Sequence, residues 1–347
     1  MPKCLKCGAE LPVNEEGMAP VLCDRCAGRA SSRARRRLSF GGMLQFPATT
    51  FLIAINTAVF LGMILGSGEI MGFSPQTTLQ WGSNFGPFTL SGEYWRLVTA
   101  SFIHANFIHF AMNMWCLWSL GQLSERLFGS SVTLAIYVLT GVGGAMLSIG
   151  LHPMRSEVGA SAAVFGIAGA ILSGIKFGKV PLASIHKRQI FSSLIFFVIF
   201  NLSFGMLPGI DNMAHLGGLV SGFLFGVPLA TAAASGKKVM EWGTIVLATL
   251  VLLGIGSRVV QTHEHASQLW VGKYKIYKRN YAGAISVLHR AVASNTNDPE
   301  SYAALGIAYE KNGQLDMAKM EFERGQQLTP DFENVKGRIQ AELGDSD

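Results

Sequence analysis

Charge is scarce in this sequence: 14% of its 347 residues are Asp, Glu, Lys or Arg, while 49% are hydrophobic. Soluble chains carry about 25% charged residues, so a wholly water-exposed globule is excluded and much of the surface has to face lipid. There is no H-E-x-x-H helix motif for a zinc hydrolase and no pair of aspartates inside the apolar runs for a carboxylate-dyad protease. No Lys, Asp or Glu lies deep in an apolar run and no repeat relates two halves of the chain, which weighs against a transporter. The first thirty residues lack an apolar stretch, so no secretory signal peptide is expected there. The net charge of +6 sits in short segments between apolar runs. That pattern belongs to membrane topology, and no nucleic-acid partner is expected.

Four of the five cysteines crowd the start, as "CLKC" (Cys4, Cys7) and "CDRC" (Cys23, Cys26). Two C-x2-C knuckles fifteen residues apart suit tetrahedral thiolate ligation of one structural zinc, and residues 1–28 resemble a zinc ribbon. Two disulfides are the alternative and need an oxidising compartment. A basic linker follows at 29–46, reading "RASSRARRRLSFGG" over 29–42; its place before an apolar run suits anionic lipid on a cytoplasmic face.

Seven apolar runs come next, near 47–65, 108–127, 132–151, 160–177, 190–207, 212–230 and 242–260, each close to the roughly twenty residues that span hydrocarbon. The aromatic stretch 66–107 between the first two reads as a loop lying in the interface. With the N-terminus inside, the inner loops hold Arg126, Lys176, Lys179, Lys187, Arg188, Lys237 and Lys238, and the outer ones only Arg96 and Arg155. That bias supports a cytoplasmic N-terminus and an extracytoplasmic C-terminus.

From 261 to 347 the chain is polar and repetitive. Gly272, Ala284 and Leu288 recur 34 residues later as Gly306, Ala318 and Phe322. The second copy resembles a tetratricopeptide repeat at Tyr302, Leu305, Gly306, Tyr309, Ala318, Phe322 and Pro330. The first copy is weaker, with Lys275 where an aromatic is usual, and a capping helix is expected from about Phe332. Such repeats bind protein partners and do no chemistry.

Polar side chains inside apolar runs point to function. His109 and Asn113 stand near the outer start of the second run, Ser161 of the fourth and His215 of the sixth, so all share one depth. A serine hydroxyl becomes nucleophilic when a neutral imidazole takes its proton, which casts Ser161 as nucleophile and His215 as base. Asp211 lies one turn before His215 and reads as the helix N-cap, which leaves a Ser–His dyad with no third member. His109 and Asn113 share a helix face, and with the Ser161 backbone N–H they supply oxyanion donors. Taken singly, Asn113 reads as an interhelical hydrogen bond and Ser161 as a small packing residue. Ala214, Gly218, Gly222 and Gly226 form a small-residue stripe facing Gly159, Ala163, Gly166 and Ala170, close enough packing to bring Ser161 to His215.

The "YWR" of Tyr94–Arg96, His104, "HFAMN" from His109 to Asn113, "GAS" from Gly159 to Ser161 and "DNMAHLGG" from Asp211 resemble the rhomboid family of intramembrane serine proteases, over roughly 46–232. The resemblance implies an all-α polytopic membrane protein, a rhomboid-like bundle of seven transmembrane helices at 47–260 in a six-plus-one arrangement. It implies Ser161 and His215 as catalytic residues, and His109, Asn113 and the Ser161 amide as oxyanion hole. Trp95 and Arg96 would shape the first loop, His104 would be structural, and Phe165 would stack on the base. It implies no catalytic cofactor, transmembrane proteins as substrates, and a home in a bacterial inner membrane. One departure stands inside the motif: Ala162 occupies a position that is commonly glycine. A scaffold that binds membrane clients without cutting them is the alternative.

Overall fold

The computed structural model describes residues 10, 45–69, 71–178, 184–205 and 210–344. Cys4, Cys7, Cys23 and Cys26, with nearly all of the expected zinc ribbon and basic linker, lie outside the described residues.

Helix α1 (Pro47–Ser67) opens on a proline, whose absent N–H costs nothing at a helix start, and stops where Gly68 turns left-handed at φ 74°. The connection after α1 is built rather than loose. It folds into α2 (Pro75–Trp81), the two-residue strand β1 (Asn84–Phe85), α3 (Gly86–Leu90), α4 (Arg96–Thr99) and a 3-10 turn at Ala100–Phe102. Arg96 is buried here; it donates to the carbonyls of Leu79 (2.8 Å) and Ser83 (3.1 Å) and pairs with Glu93 at 2.7 Å.

Helix α5 (Phe107–Phe128) is capped by the Asn106 side chain, which accepts from the His109 N–H at 2.8 Å. After α6 (Ser130–Leu151), strand β2 (Ser156–Glu157) pairs antiparallel with β1, setting Glu157 opposite Asn84. Helices α7 (Ser161–Phe177), α8 (Ser184–Phe204) and α9 (Asn212–Ser235) follow. Residues 162–175 of α7 are all buried, so this helix is the axis of the bundle, wrapped by α5, α6, α8 and α9. Its 17 residues give about 25 Å of length, short of the roughly 30 Å of hydrocarbon.

Four of the described helices are long and apolar enough to cross a membrane: α1, α6, α9 and α10 (Lys238–Tyr277). α7 is apolar but shorter, and α5 and α8 have the length but carry more polar residues, among them His109, Asn113 and Glu125 on α5. The multi-pass helical architecture is thus plain.

The expected boundary at 260/261 falls inside a helix. No Gly or Pro cap interrupts the chain there, and α10 runs unbroken for 40 residues, about 60 Å. Its C-terminal half forms a hairpin with α11 (Tyr281–Ser294), and α12 (Pro299–Lys311) with α13 (Leu315–Leu328) forms a second, closed by α14 (Phe332–Glu342). The 34-residue echo has a steric basis: Gly272 leaves room for Leu288, and Gly306 leaves the same room for Phe322. These hairpins share one apolar core around Leu288, Leu305 and Phe332.

The hairpins also touch the first loop. Trp270 and Tyr274 stack at 5.4 Å; Trp270 meets the edges of Phe85 (5.3 Å) and Phe88 (5.9 Å), and Arg96 lies over Phe88 at 5.3 Å. Arg290 donates to the Ser91 carbonyl at 3.3 Å.

Candidate active site

Ser161 is the first residue of α7, and the helix has no side-chain cap there. The N–H groups of its first turn are therefore free of intrahelical partners and favour negative charge. Gly159 leads into this turn with φ 121°, donating its N–H to the Ala100 carbonyl at 2.9 Å. That backbone conformation excludes ordinary L-residues. A methyl at Gly159 would also lie 2.6 Å from the His109 ring, with Ser161 Oγ 3.7 Å away, so the ring and the hydroxyl flank one point.

His215 stands one turn into α9. Asp211 caps this helix, accepting from the N–H groups of Met213 (3.0 Å) and Ala214 (3.2 Å) and from the Ser148 hydroxyl. His215 Nε2 lies 2.8 Å from Ser161 Oγ across 54 residues of chain. Its ring stacks on Phe165 at 4.6 Å with planes 12° apart. Its Nδ1 has no hydrogen-bond partner among the described residues.

The seam expected between α7 and α9 lies beneath this contact. A methyl on Gly218 would run into the Ala162 carbonyl, and one on Gly222 into the Gly166 carbonyl. Backbones this close set the side chains at the helix starts within hydrogen-bond reach. Ala162 is buried with its methyl turned to α6, where Gly144 faces it; a methyl on Gly144 would lie 2.7 Å from it.

Of the other sequence candidates, Asn113 is buried on α5 and donates to its own helix at the His109 carbonyl (2.9 Å), leaving its second amide hydrogen for a ligand. His104 is fully buried, edge-on to His109 at 5.3 Å and to Phe110 at 5.4 Å. Burial first, and then the neighbouring His109, push its imidazole down to about 3, so it backs His109 as a neutral ring. Trp95 is half exposed in the first loop and covers Gly82, 4.6 Å from the Arg96 guanidinium.

A half-buried serine hydroxyl on an imidazole, beside a helix N-terminus and two further donors, is an arrangement for acyl transfer. Residues 91–232 match the family described as the rhomboid domain. That stretch is similar to a rhomboid domain. The chain is 30% identical over 304 residues to the rhomboid protease GluP of Bacillus subtilis (strain 168), covering 77% of this chain and 58% of that protein. It is 38% identical over 146 residues to the mitochondrial RHOMBOID-like protein 6 of Arabidopsis thaliana, 42% of this chain and 46% of that one. To the rhomboid protease AarA of Providencia stuartii it is 28% identical over 258 residues, 68% of this chain and 90% of that one. The chain thus spans about half the length of the first two.

Beside the site, sequence reasoning passed over Asn84 and Glu157. Asn84 is buried; it donates to the Ala145 carbonyl (3.1 Å) and Glu157 Oε2 (2.8 Å) and accepts from Thr89 (2.9 Å). The available signal was a carboxylate two residues before the Gly159 turn.

Proposed function

We propose that this chain is an intramembrane serine endopeptidase that cuts transmembrane proteins in or beside their membrane helix, using Ser161 as nucleophile and His215 as base. The observation that supports it best is the 2.8 Å contact between Ser161 Oγ and His215 Nε2. In this reading His215 Nε2 takes the hydroxyl proton as Oγ bonds to the scissile carbonyl carbon. The oxyanion meets the Ser161 N–H, His109 and the free Asn113 amide hydrogen. His215 then gives the proton to the leaving amine, and water releases the acyl group by the same route. Phe165 holds the imidazole plane while Nδ1 stays unpaired, so stacking takes the orienting part that a third residue plays in a triad. The match to the rhomboid domain and the relatives named as proteases support the same chemistry.

The hairpins after α10 are read as tetratricopeptide repeats that bind protein partners outside the cytoplasm. Residues 1–28 are read as a cytoplasmic module holding one structural zinc on Cys4, Cys7, Cys23 and Cys26. The test of the dyad is cleavage of a single-span substrate by purified protein in detergent. Wild type cuts and labels with a fluorophosphonate, while Ser161→Ala and His215→Ala do neither; variants that cut as well as wild type would overturn the assignment. Metal analysis should find one zinc per chain, lost on Cys23→Ser.

A further inference from the structure

Glu157 is the only carboxylate on the segment between α6 and α7, four residues before the nucleophile, and its side chain is buried at 6% exposure. Among the described residues no cation forms an ion pair with it; Arg155 on the same loop is exposed. Its groups in view come from three elements. From β1, Asn84 donates to Oε2 at 2.8 Å and is the backbone partner of Glu157 across the strand pair. From α6 come the Ala145 carbonyl, shared through Asn84, and Ser148, which donates to Asp211. From the cap of α9, the Asp211 carboxylate acts on Glu157 through its charge.

This placement joins the two halves of the site. Glu157 lies on the strand that runs through Gly159 into Ser161, and Asp211 caps the helix that carries His215 one turn later. Resting on the Ser161–His215 reading, we propose that Glu157 is a positioning residue for that pair. As a neutral acid it ties the strand before the nucleophile to Asn84; on losing its proton it sets a second negative charge beside Asp211 and draws Ser161 away from His215.

The charge state at rest follows from the surroundings. A buried carboxyl with no cation paired to it among the described residues keeps its proton. Burial pushes Glu157 up to about 8, the Asn84 hydrogen bond opposes the shift, and Asp211 adds to it. Glutamine has the shape of the neutral acid and still accepts from Asn84. Alanine removes the tie.

The experiment measures fluorophosphonate labelling of Ser161 in detergent from pH 5 to 10 for wild type, Glu157→Gln and Glu157→Ala. It adds infrared difference spectra of wild type and Glu157→Gln. Labelling of wild type should rise with pH and fall again above about 8. Glu157→Gln should keep the neutral rate within about threefold and lose the alkaline fall, whereas Glu157→Ala should drop at least tenfold at every pH. The spectra should show a protonated-carboxyl band at pH 7 that titrates near 8 and is missing from Glu157→Gln. An alkaline limb unchanged in Glu157→Gln overturns the proposal, and so does a loss in Glu157→Gln that is parallel at all pH values. If wild type never labels, the dyad reading fails by itself, and a missing infrared band still refutes the neutral acid.

Discussion

A methyl group added at Gly144 tests whether packing sets the chemistry. Gly144 lies on α6 with helical backbone, so Gly144→Ala adds volume without backbone strain. The new Cβ would stand 2.7 Å from Ala162 Cβ and 2.5 Å from the Ala214 carbonyl, next to Ser161 and His215 respectively. Relief to ordinary contact takes about 0.8 Å on each side. The two contacts belong to different helices, so that movement does not preserve the 2.8 Å spacing of the pair, and a shift of this size carries it past hydrogen-bond range. Misplacement on the order of 1 Å costs about 10²-fold in rate, and overpacking costs about 1–3 kcal/mol. The assay is substrate cleavage and fluorophosphonate labelling beside thermal unfolding in detergent. Gly254→Ala is the control, since nothing lies within 4 Å of a methyl there. Combining Gly144→Ala with Ala162→Gly removes one of the two contacts and should recover about tenfold of the lost rate. Wild-type cleavage and stability in Gly144→Ala would refute the reasoning.

Three further outcomes are expected. Glu125 accepts from the N–H groups of Ala48 (3.2 Å) and Thr49 (2.7 Å) and from the hydroxyls of Thr49 and Ser130 (each 2.6 Å), so Glu125→Ala strands several buried donors. Resistance to denaturing detergent should fall by roughly 3 kcal/mol, with α1 the first helix to gain hydrogen exchange. Trp270→Ala removes the ring that stacks on Tyr274 and meets Phe85 and Phe88. Hydrogen exchange should accelerate at residues 84–91 while α12 and α13 stay protected; unchanged exchange at 84–91 would mean the aromatic contact does not hold the loop. Glu157 binds its proton more tightly in the folded chain, about 8 against an ordinary 4.5. Its stabilising contribution is therefore full below about 4.5 and is lost as pH rises toward 8, at up to roughly 1.4 kcal/mol per pH unit. Melting temperatures of wild type should show that slope between pH 5 and 8, and those of Glu157→Gln should not.

Much of the site is visible in one dimension because the chemistry needs particular residues near helix starts, and helix starts follow from local patterns. Depth along a span is countable from sequence, so His109, Ser161 and His215 can be placed at one level before any packing is known. The stripe of Gly218, Gly222 and Gly226 likewise announces a close crossing, since small residues at that interval permit little else. Asn113 shows where such counting stops: its helix face is legible, but the donation to the His109 carbonyl is a rotamer choice made by the surroundings.

The sequence by itself determined the apolar segments, the small-residue seam, the 34-residue echo and the residue types at the site, all properties of short stretches or simple periods. The tertiary structure decided what depends on distant parts meeting. It set Ser161 on His215 across 54 residues, turned Gly144 toward the methyl of Ala162, and buried Glu157 against Asn84. It also ran α10 through the boundary at 260 and laid Trp270 on the first loop. The physical reason is range: propensity and hydropathy act over a few residues, whereas a 3 Å contact is the sum of every helix packed around it.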